Sequence, residues 1–409
     1  MGSPRISSAP FVVSRNLRLF YVATFVRELA PLLAIWVVYL TDYRHLTLAQ
    51  VGLMEGLFWI VKLAMEVPSG VFADRFGRRT CMVVAAILEG SGLMVFAVAD
   101  TFTLLTISYL IWGSGFAFRS GAAEAYLYDA LQADGREAEY TDRLGFFWAL
   151  DLTGATVGGI AGAILAATVS LQAAVVATAG SYVVALPLLL AMQEPPRLTA
   201  SAHHGYLDVL REGLAVVRRD AGLRGMVLLQ IVLMSGWAGS AVLSQPFMAQ
   251  HGVPLSMFGV LSASIMLASA GAGFASGRVV RAIGIKRALL VSVAGTAGGL
   301  LLLGAVDHLG AFAGFVVTAG ALSVVQPAAQ AYVSDRTEAG VRATVLSLAP
   351  FGQSIAIAIA NTAAGVLGDA SLRMALGTLG VTIGLAGVAA FLVWRAAEAR
   401  SQSGASQGY

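Results

Sequence analysis

Nine ionisable residues sit inside long apolar runs: Arg27, Glu28, Glu55, Lys62, Glu66, Glu89, Arg119, Glu124 and Asp151. A charge surrounded by hydrocarbon is costly, so such residues face protein or water and mark paths for ions, protons or solutes. All nine precede residue 152, whereas the later apolar runs carry only neutral polar groups such as Gln230, Gln245, Gln326, Gln330, Gln353 and Asn361. Charge chemistry therefore belongs to the first half of the chain. Six acids against three bases would leave a net negative load, so at least one acid is expected to be neutral and able to exchange a proton with the aqueous side it faces. Glu28, Glu89 and Asp151 lead as carriers of a coupling proton or a substrate cation, with Glu66 next. Arg27, Lys62 and Arg119 either pair with these acids to lock a bundle or contact an anionic group of a solute. Glu55, Trp59, Lys62 and Glu66 are spaced at 4, 3 and 4 residues and form one helical stripe that continues to Gly70 and Asp74.

The elements that must hold these residues are membrane helices. Of 409 residues, 57% are hydrophobic and 12% charged, against about 25% charged in an average soluble domain. A helical span needs about 20 mostly apolar residues. Twelve runs meet that length, from about 16–40 to about 373–395. They lack the period-two alternation of barrel strands. The polar start MGSPRISSAP reads as no cleavable leader, so the first span is expected to serve as the targeting signal. Cys81 is the single cysteine, which rules out an intrachain disulfide. The net charge of +3 points to no nucleic-acid partner, because in a membrane protein the placement of cations matters more than their sum.

Lysine and arginine placement gives the expected orientation. With the amino terminus cytoplasmic, 21 of the 26 cations fall in cytoplasmic segments and three, Arg27, Lys62 and Arg119, inside spans. Arg44 and Arg373 lie on the other side, and both termini are expected in the cytoplasm. The chain divides into an N-terminal six-helix bundle (1–193), a linker (194–222), a C-terminal six-helix bundle (223–397) and a disordered tail (398–409). Within the linker, Tyr206, Leu210, Leu214 and Val217 are at helical spacing, which reads either as an interfacial helix or as a solvated connection. AEAYLYD (123–129) recurs as AQAYVSD (329–335), 206 residues on, and GVFADRFGRR (70–79) overlies GRVVRAIGIK (277–286) at an offset of 207. Two separate pairs at nearly one offset imply a duplicated half.

GVFADRFGRR resembles the loop between the second and third helices of the major facilitator superfamily, G-x-x-x-D-R-x-G-R-R, and it occupies that loop. The resemblance covers the whole chain. It implies an all-α membrane fold of twelve helices in two pseudo-symmetric six-helix bundles, working as a secondary transporter by alternating access. Gly70, Asp74, Arg75, Gly77, Arg78 and Arg79 would form a cytoplasmic gate. In it Asp74 would meet the start of the eleventh helix near 342–346, and Arg78 would pair with Asp129. The second copy has Arg281 where the first has the aspartate, so a latch in that half would use other pairs, with Asp335 a candidate. GATVGGIAG (154–162) is similar to a drug-antiporter motif but lacks its proline, and the R-x-x-Q-G motif is absent, with Arg119 as a displaced substitute.

From these features the expectation is proton-driven export of amphiphilic or cationic organic molecules, with import of an anionic or zwitterionic metabolite as the alternative. Tyr21, Phe25, Trp112, Phe116, Tyr126 and Trp148 either line a cavity for a flat solute or face lipid. No HExxH or Walker pattern occurs, and all five histidines (His45, His203, His204, His251 and His308) lie in or beside loops. An enzyme or an ATP-driven pump is therefore excluded, and no cofactor is expected beyond a proton gradient. The expected state is a monomer in a bacterial inner membrane, with a small-molecule substrate and the lipid bilayer as its partners.

Overall fold

The structure is a computed structural model that describes residues 12–196, 206–337 and 339–405. The leader reading at residues 1–11 falls outside them, as do part of the linker (197–205) and residues 406–409. The helices are α1 (Val13–Glu28), α2 (Trp36–Val38), α3 (Leu48–Phe76), α4 (Arg78–Val98), α5 (Phe102–Gln132), α6 (Tyr140–Thr168), α7 (Leu171–Ala191), α8 (Tyr206–Arg219), α9 (Ala221–Gln250), α10 (Phe258–Ala305), α11 (Ala313–Arg336), α12 (Ala339–Ala370) and α13 (Leu372–Ala405).

Among the described residues, nine helices are long and apolar enough to cross a membrane, or ten when the bent pair Val13–Ala34 and Trp36–Tyr43 counts as one span. The twelve runs expected from sequence are thus not all separate apolar helices, for two reasons. Arg119, Glu124 and Asp129 interrupt the 31-residue α5, and α10 runs through two apolar stretches with its only non-helical residue at Gly284. The tail expected from 398 onward is also revised, because α13 continues to Ala405. WRAAEAR (394–400) is built of strong helix formers and gives the helix no reason to stop.

The chain forms two compact units. Unit 1 draws on Met1–Leu33, Ala64–Gly162 and Gln172–His203; unit 2 takes Ala34–Leu63, Ala163–Leu171 and His204–Tyr409. The division departs from the six-and-six boundaries, since α3 gives its first half to unit 2 and its second to unit 1. The reason lies in α3's glycines. A Cβ on Gly52 or Gly56 would strike the α12 backbone at Asn361 or Ala358, so the two helices meet backbone to backbone. Thr362 Oγ1 donates to the Gly52 carbonyl at 3.4 Å. The free N–H groups of Leu48 and Ala49 donate to the carboxylate of Asp369 at 2.7 and 3.0 Å, capping α3 with an acid at its positive end.

In unit 1, α6 presents Gly154, Gly158 and Gly162 on one face. A Cβ at these positions would meet Glu28, the Leu29–Ala30 backbone and the Pro31 backbone respectively. Small residues four apart let helices approach closely in a membrane. The motif-like GATVGGIAG thus seats the broken end of α1. Pro31 cannot continue the helix, and the chain bends by 56° after it. Backbone groups freed in lipid need partners: Leu32 N–H donates to Thr178 Oγ1 at 2.8 Å in unit 1, and Val37 N–H to Gln245 Oε1 at 2.8 Å in unit 2. The core of unit 1 stacks Phe20 between Tyr126 and Phe147, with ring centroids 5.6 and 5.4 Å apart, over the buried thiol Cys81.

Candidate functional site

Bending α1 after Glu28 aims Arg27 and Glu28 into unit 1, where α4 supplies Glu89, α5 Arg119 and α6 Asp151. The Arg27 guanidinium donates to Glu28 Oε1 through Nη2 at 2.5 Å and Nε at 3.1 Å. It also reaches toward Asp151 Oδ1 at 3.9 Å. Arg119 donates from Nε to Glu89 Oε1 at 3.3 Å, and its Nη1 lies 3.8 Å from Glu28 Oε1. Its guanidinium also rests 4.5 Å over the Phe116 ring. Glu28 is therefore shared by two arginines, and each arginine is shared by two acids. Gly115 makes this possible, since a Cβ there would strike Glu89 and the α4 backbone.

Three carboxylates and two guanidiniums leave an excess of one negative charge if all are ionised. The excess is not spread evenly. Glu89 is sealed, its side chain 1% exposed, and one of its oxygens has no hydrogen-bond partner. Asp151 is 24% exposed, and its Oδ1 likewise has no hydrogen-bond partner. Asp151 thus combines the most distant base with the greatest exposure in the cluster and shares a hydrogen bond with the Glu28 carboxyl, a combination that suits a carboxyl trading a proton with water.

Lys62 and Glu66, also expected at this site, have contacts of their own. Lys62 lies in unit 2 with its ammonium 5.3 Å from the centre of the Trp59 ring. Glu66 lies in unit 1 on a turn where its carbonyl accepts from Ser69 Oγ. The aromatics divide as well. Trp112 stands edge-on to Tyr109, and Tyr21 packs edge-on to Phe146 while its hydroxyl donates to the Arg143 carbonyl. Phe25 is half-buried on α1. Tyr126 does not line a cavity. It is fully buried, and its hydroxyl donates to the Gln193 carbonyl at 3.0 Å, because its ring completes the core stack. Trp148 is 50% exposed on α6.

The Gly70–Arg79 segment closes one end of unit 1. Asp74 pairs with Arg78 at 3.0 Å, and Arg78 Nε lies 3.8 Å from Asp129 Oδ2, the pair the resemblance implied. The sequence reading missed Glu194. Its two oxygens accept from the backbone N–H groups of Arg78 and Arg79, so it caps α4 from the far end of α7. Gly77 has φ 108° and ψ 154°, and a Cβ there would overlap the Glu194 carboxylate. Arg79 in turn donates to the Leu189 and Leu190 carbonyls, while Arg75 lies over the Phe76 ring. Gly70 is exposed with open space beside it. The available signal for Glu194 was an acid directly after the sixth apolar run.

Unit 2 repeats the arrangement with different groups. Gly284, at the offset of the repeat, has φ 77° and ψ 155°, nearly the conformation of Gly77. Tyr332, the counterpart of Tyr126, donates to Glu398 Oε1 at 2.6 Å, and Arg336 binds the same oxygen at 2.5 Å. Asp220 caps α9 through Gly222 and Leu223 and lies 3.8 Å from Arg336. Glu398 and Asp220, rather than Asp335, pair with the base at this end.

The model of the Major Facilitator Superfamily matches residues 19–239 and again 226–408. The chain belongs to that family, as a multi-pass membrane protein. Two relatives from Bacillus subtilis (strain 168) align in part. An uncharacterized MFS-type transporter, YxaM, is 34% identical over 23% of either chain. Multidrug resistance protein 1 is 28% identical over 37% of this chain and 38% of its own length. The aligned stretches thus span well under half of these relatives. Among solved structures, a nucleoside transporter, NupG, superposes with TM-score 0.76 at 11% identity over 93% of this chain and 98% of that one. A bacterial homologue of the human lysosomal transporter Spinster gives 0.73 at 16% identity over 95% and 98%. These likenesses establish the fold.

Proposed function

We propose that the protein is a proton-coupled secondary transporter in which Asp151 carries the coupling proton and Arg27 and Glu28 relay its charge state. The observation that carries this reading is the shared-charge geometry. An ionised Asp151 competes with Glu28 for Arg27 from 3.9 Å. Once protonated it gives up that claim, Arg27 turns fully to Glu28, and Arg119 is left to Glu89. A proton at one partly exposed carboxyl thereby resets contacts among α1, α4, α5 and α6. Such redistribution is the local event alternating access requires.

Twelve spans follow if the bent pair, α5 and the two parts of α10 about Gly284 each cross. We place both termini in the cytoplasm, in keeping with the cation distribution, and the Asp74–Arg78–Asp129 end as a cytoplasmic latch. Export of amphiphilic or cationic molecules as a monomer from a bacterial inner membrane is favoured by the negative excess of the cluster and by the partial alignment with a multidrug resistance protein. Import of an anionic or zwitterionic metabolite is the second reading, supported by the two buried guanidiniums and the likeness to a nucleoside transporter.

Proteoliposomes holding a pH dye test both. A lipophilic cation such as tetraphenylphosphonium should release protons from an acidified lumen in the wild type and not in Asp151→Asn. Organic anions moving protons in their own direction, with cations silent, would replace export by import. Wild-type coupling in Asp151→Asn would remove this residue from the mechanism.

A further inference from the structure

Unit 2 contains a cavity of about 340 Å³ between α9, α11 and α12, at the lower end of the about 300–1,000 Å³ typical of small-molecule sites. Four glutamines line it, Gln230, Gln326, Gln330 and Gln353, with Ser334 beside them and no charged residue in the wall. Gln326 and Gln330 share one face of α11. Gln230 is 4% exposed on α9. None of the four carboxamides hydrogen-bonds another described residue.

Gln230 is buried, Gln326 and Gln353 are half-buried and Gln330 is exposed, so the four amides converge on a space open to solvent and add no hydrogen bond to the fold. Pro350 adds to the set, because it supplies no N–H to the carbonyl of Leu346 one turn earlier, and both residues line the cavity. The wall thus offers donors and acceptors side by side, flanked by Val333 and Val345 as apolar cover.

We propose that this cavity is a binding site for an uncharged planar group that places an N–H beside a carbonyl: a carboxamide, or the lactam edge of a heterocycle. A carboxamide side chain pairs with such an edge at two points, as it does with a base edge. An ion would lose its hydration and find no opposite charge. The site is built from residues of unit 2 alone, and its occupancy requires no proton coupling.

The test is titration calorimetry and thermal unfolding of the purified full chain in detergent at neutral pH. Theophylline and nicotinamide serve as neutral probes, with benzoate and benzyltrimethylammonium as charged ones. The neutral probes should bind and raise the melting temperature, and the ions should not. Gln326→Leu with Gln330→Leu should weaken that binding by about tenfold or more, the loss of at least one neutral hydrogen bond. Should that variant not fold, Gln353→Glu keeps the shape and adds a carboxylate, and it should shift preference toward benzyltrimethylammonium. No binding by either neutral probe, equal binding of the ions, or binding indifferent to these substitutions would overturn the assignment.

Discussion

Unit 1 buries charges that answer one another, whereas unit 2 lines a cavity with neutral amides that face open space. Arg27, Glu28, Glu89, Arg119 and Asp151 form a chain of shared pairs, so changing the state of one changes the partners of the rest. The four cavity glutamines share no such pairs, and each can be altered with little effect on its neighbours. A duplicated scaffold has thus kept its turns and divided its chemistry: one unit suits a charge that comes and goes, the other a constant hydrogen-bonding surface.

Five expected outcomes probe this contrast. The largest effect should come from Arg119→Met, which strands Glu89 in a site 1% exposed. Removing one partner of a buried pair costs about 3–5 kcal/mol, and thermal unfolding should show most of it regained in Arg119→Met with Glu89→Met. By contrast, Gln326→Leu with Gln330→Leu should leave stability within about 1 kcal/mol, since Gln326 is half-buried and Gln330 exposed, away from any packed core. A large loss there would erase the distinction between the units.

Next is Asp151→Asn, expected to cut proton-coupled flux by about 100-fold, roughly 2.7 kcal/mol. Its folded stability should barely change, because its nearest base stands at 3.9 Å. Equal loss of folding and flux would mark Asp151 as structural.

The two turn glycines offer a smaller and sharper comparison. Their shared conformation admits almost only glycine, so alanine should cost about 1–3 kcal/mol at either. Gly77→Ala should cost more than Gly284→Ala, since only the first also drives a Cβ into Glu194, while the second meets open space. Unfolding midpoints of the two variants give the order directly. Smallest is Glu194→Gln, which keeps the acceptor but removes an anion from the amino terminus of α4, an effect of about 0.3–1 kcal/mol.

Much of this was legible in the chain because it depends on local pattern. Apolar run length gives membrane helices. Gly70–Arg79 gave the turn and its arginines, and the offset of 207 put Gly284 in the same backbone state as Gly77. The concentration of buried charge in the first half was visible as a simple asymmetry. Tyr126 went astray because an aromatic near polar residues has the same spacing whether it faces a cavity or a core. Its place was decided by Phe20 and Phe147, which come from other helices. Glu194 escaped because its partners, the Arg78 and Arg79 amides, are more than a hundred residues away.

By itself the sequence determined the solvent, the helices, the duplication and the set of ionisable groups, since each follows from composition or from spacing along one helix. The tertiary structure alone decided which acid meets which arginine, that Lys62 falls in unit 2 with the first half of α3, and that four glutamines scattered over three helices converge on one cavity. Those are relations between elements. They are set by where glycines permit backbones to touch, as Gly154, Gly158 and Gly162 do beneath the bend after Glu28, and helical periodicity carries no record of the neighbour that such a contact selects.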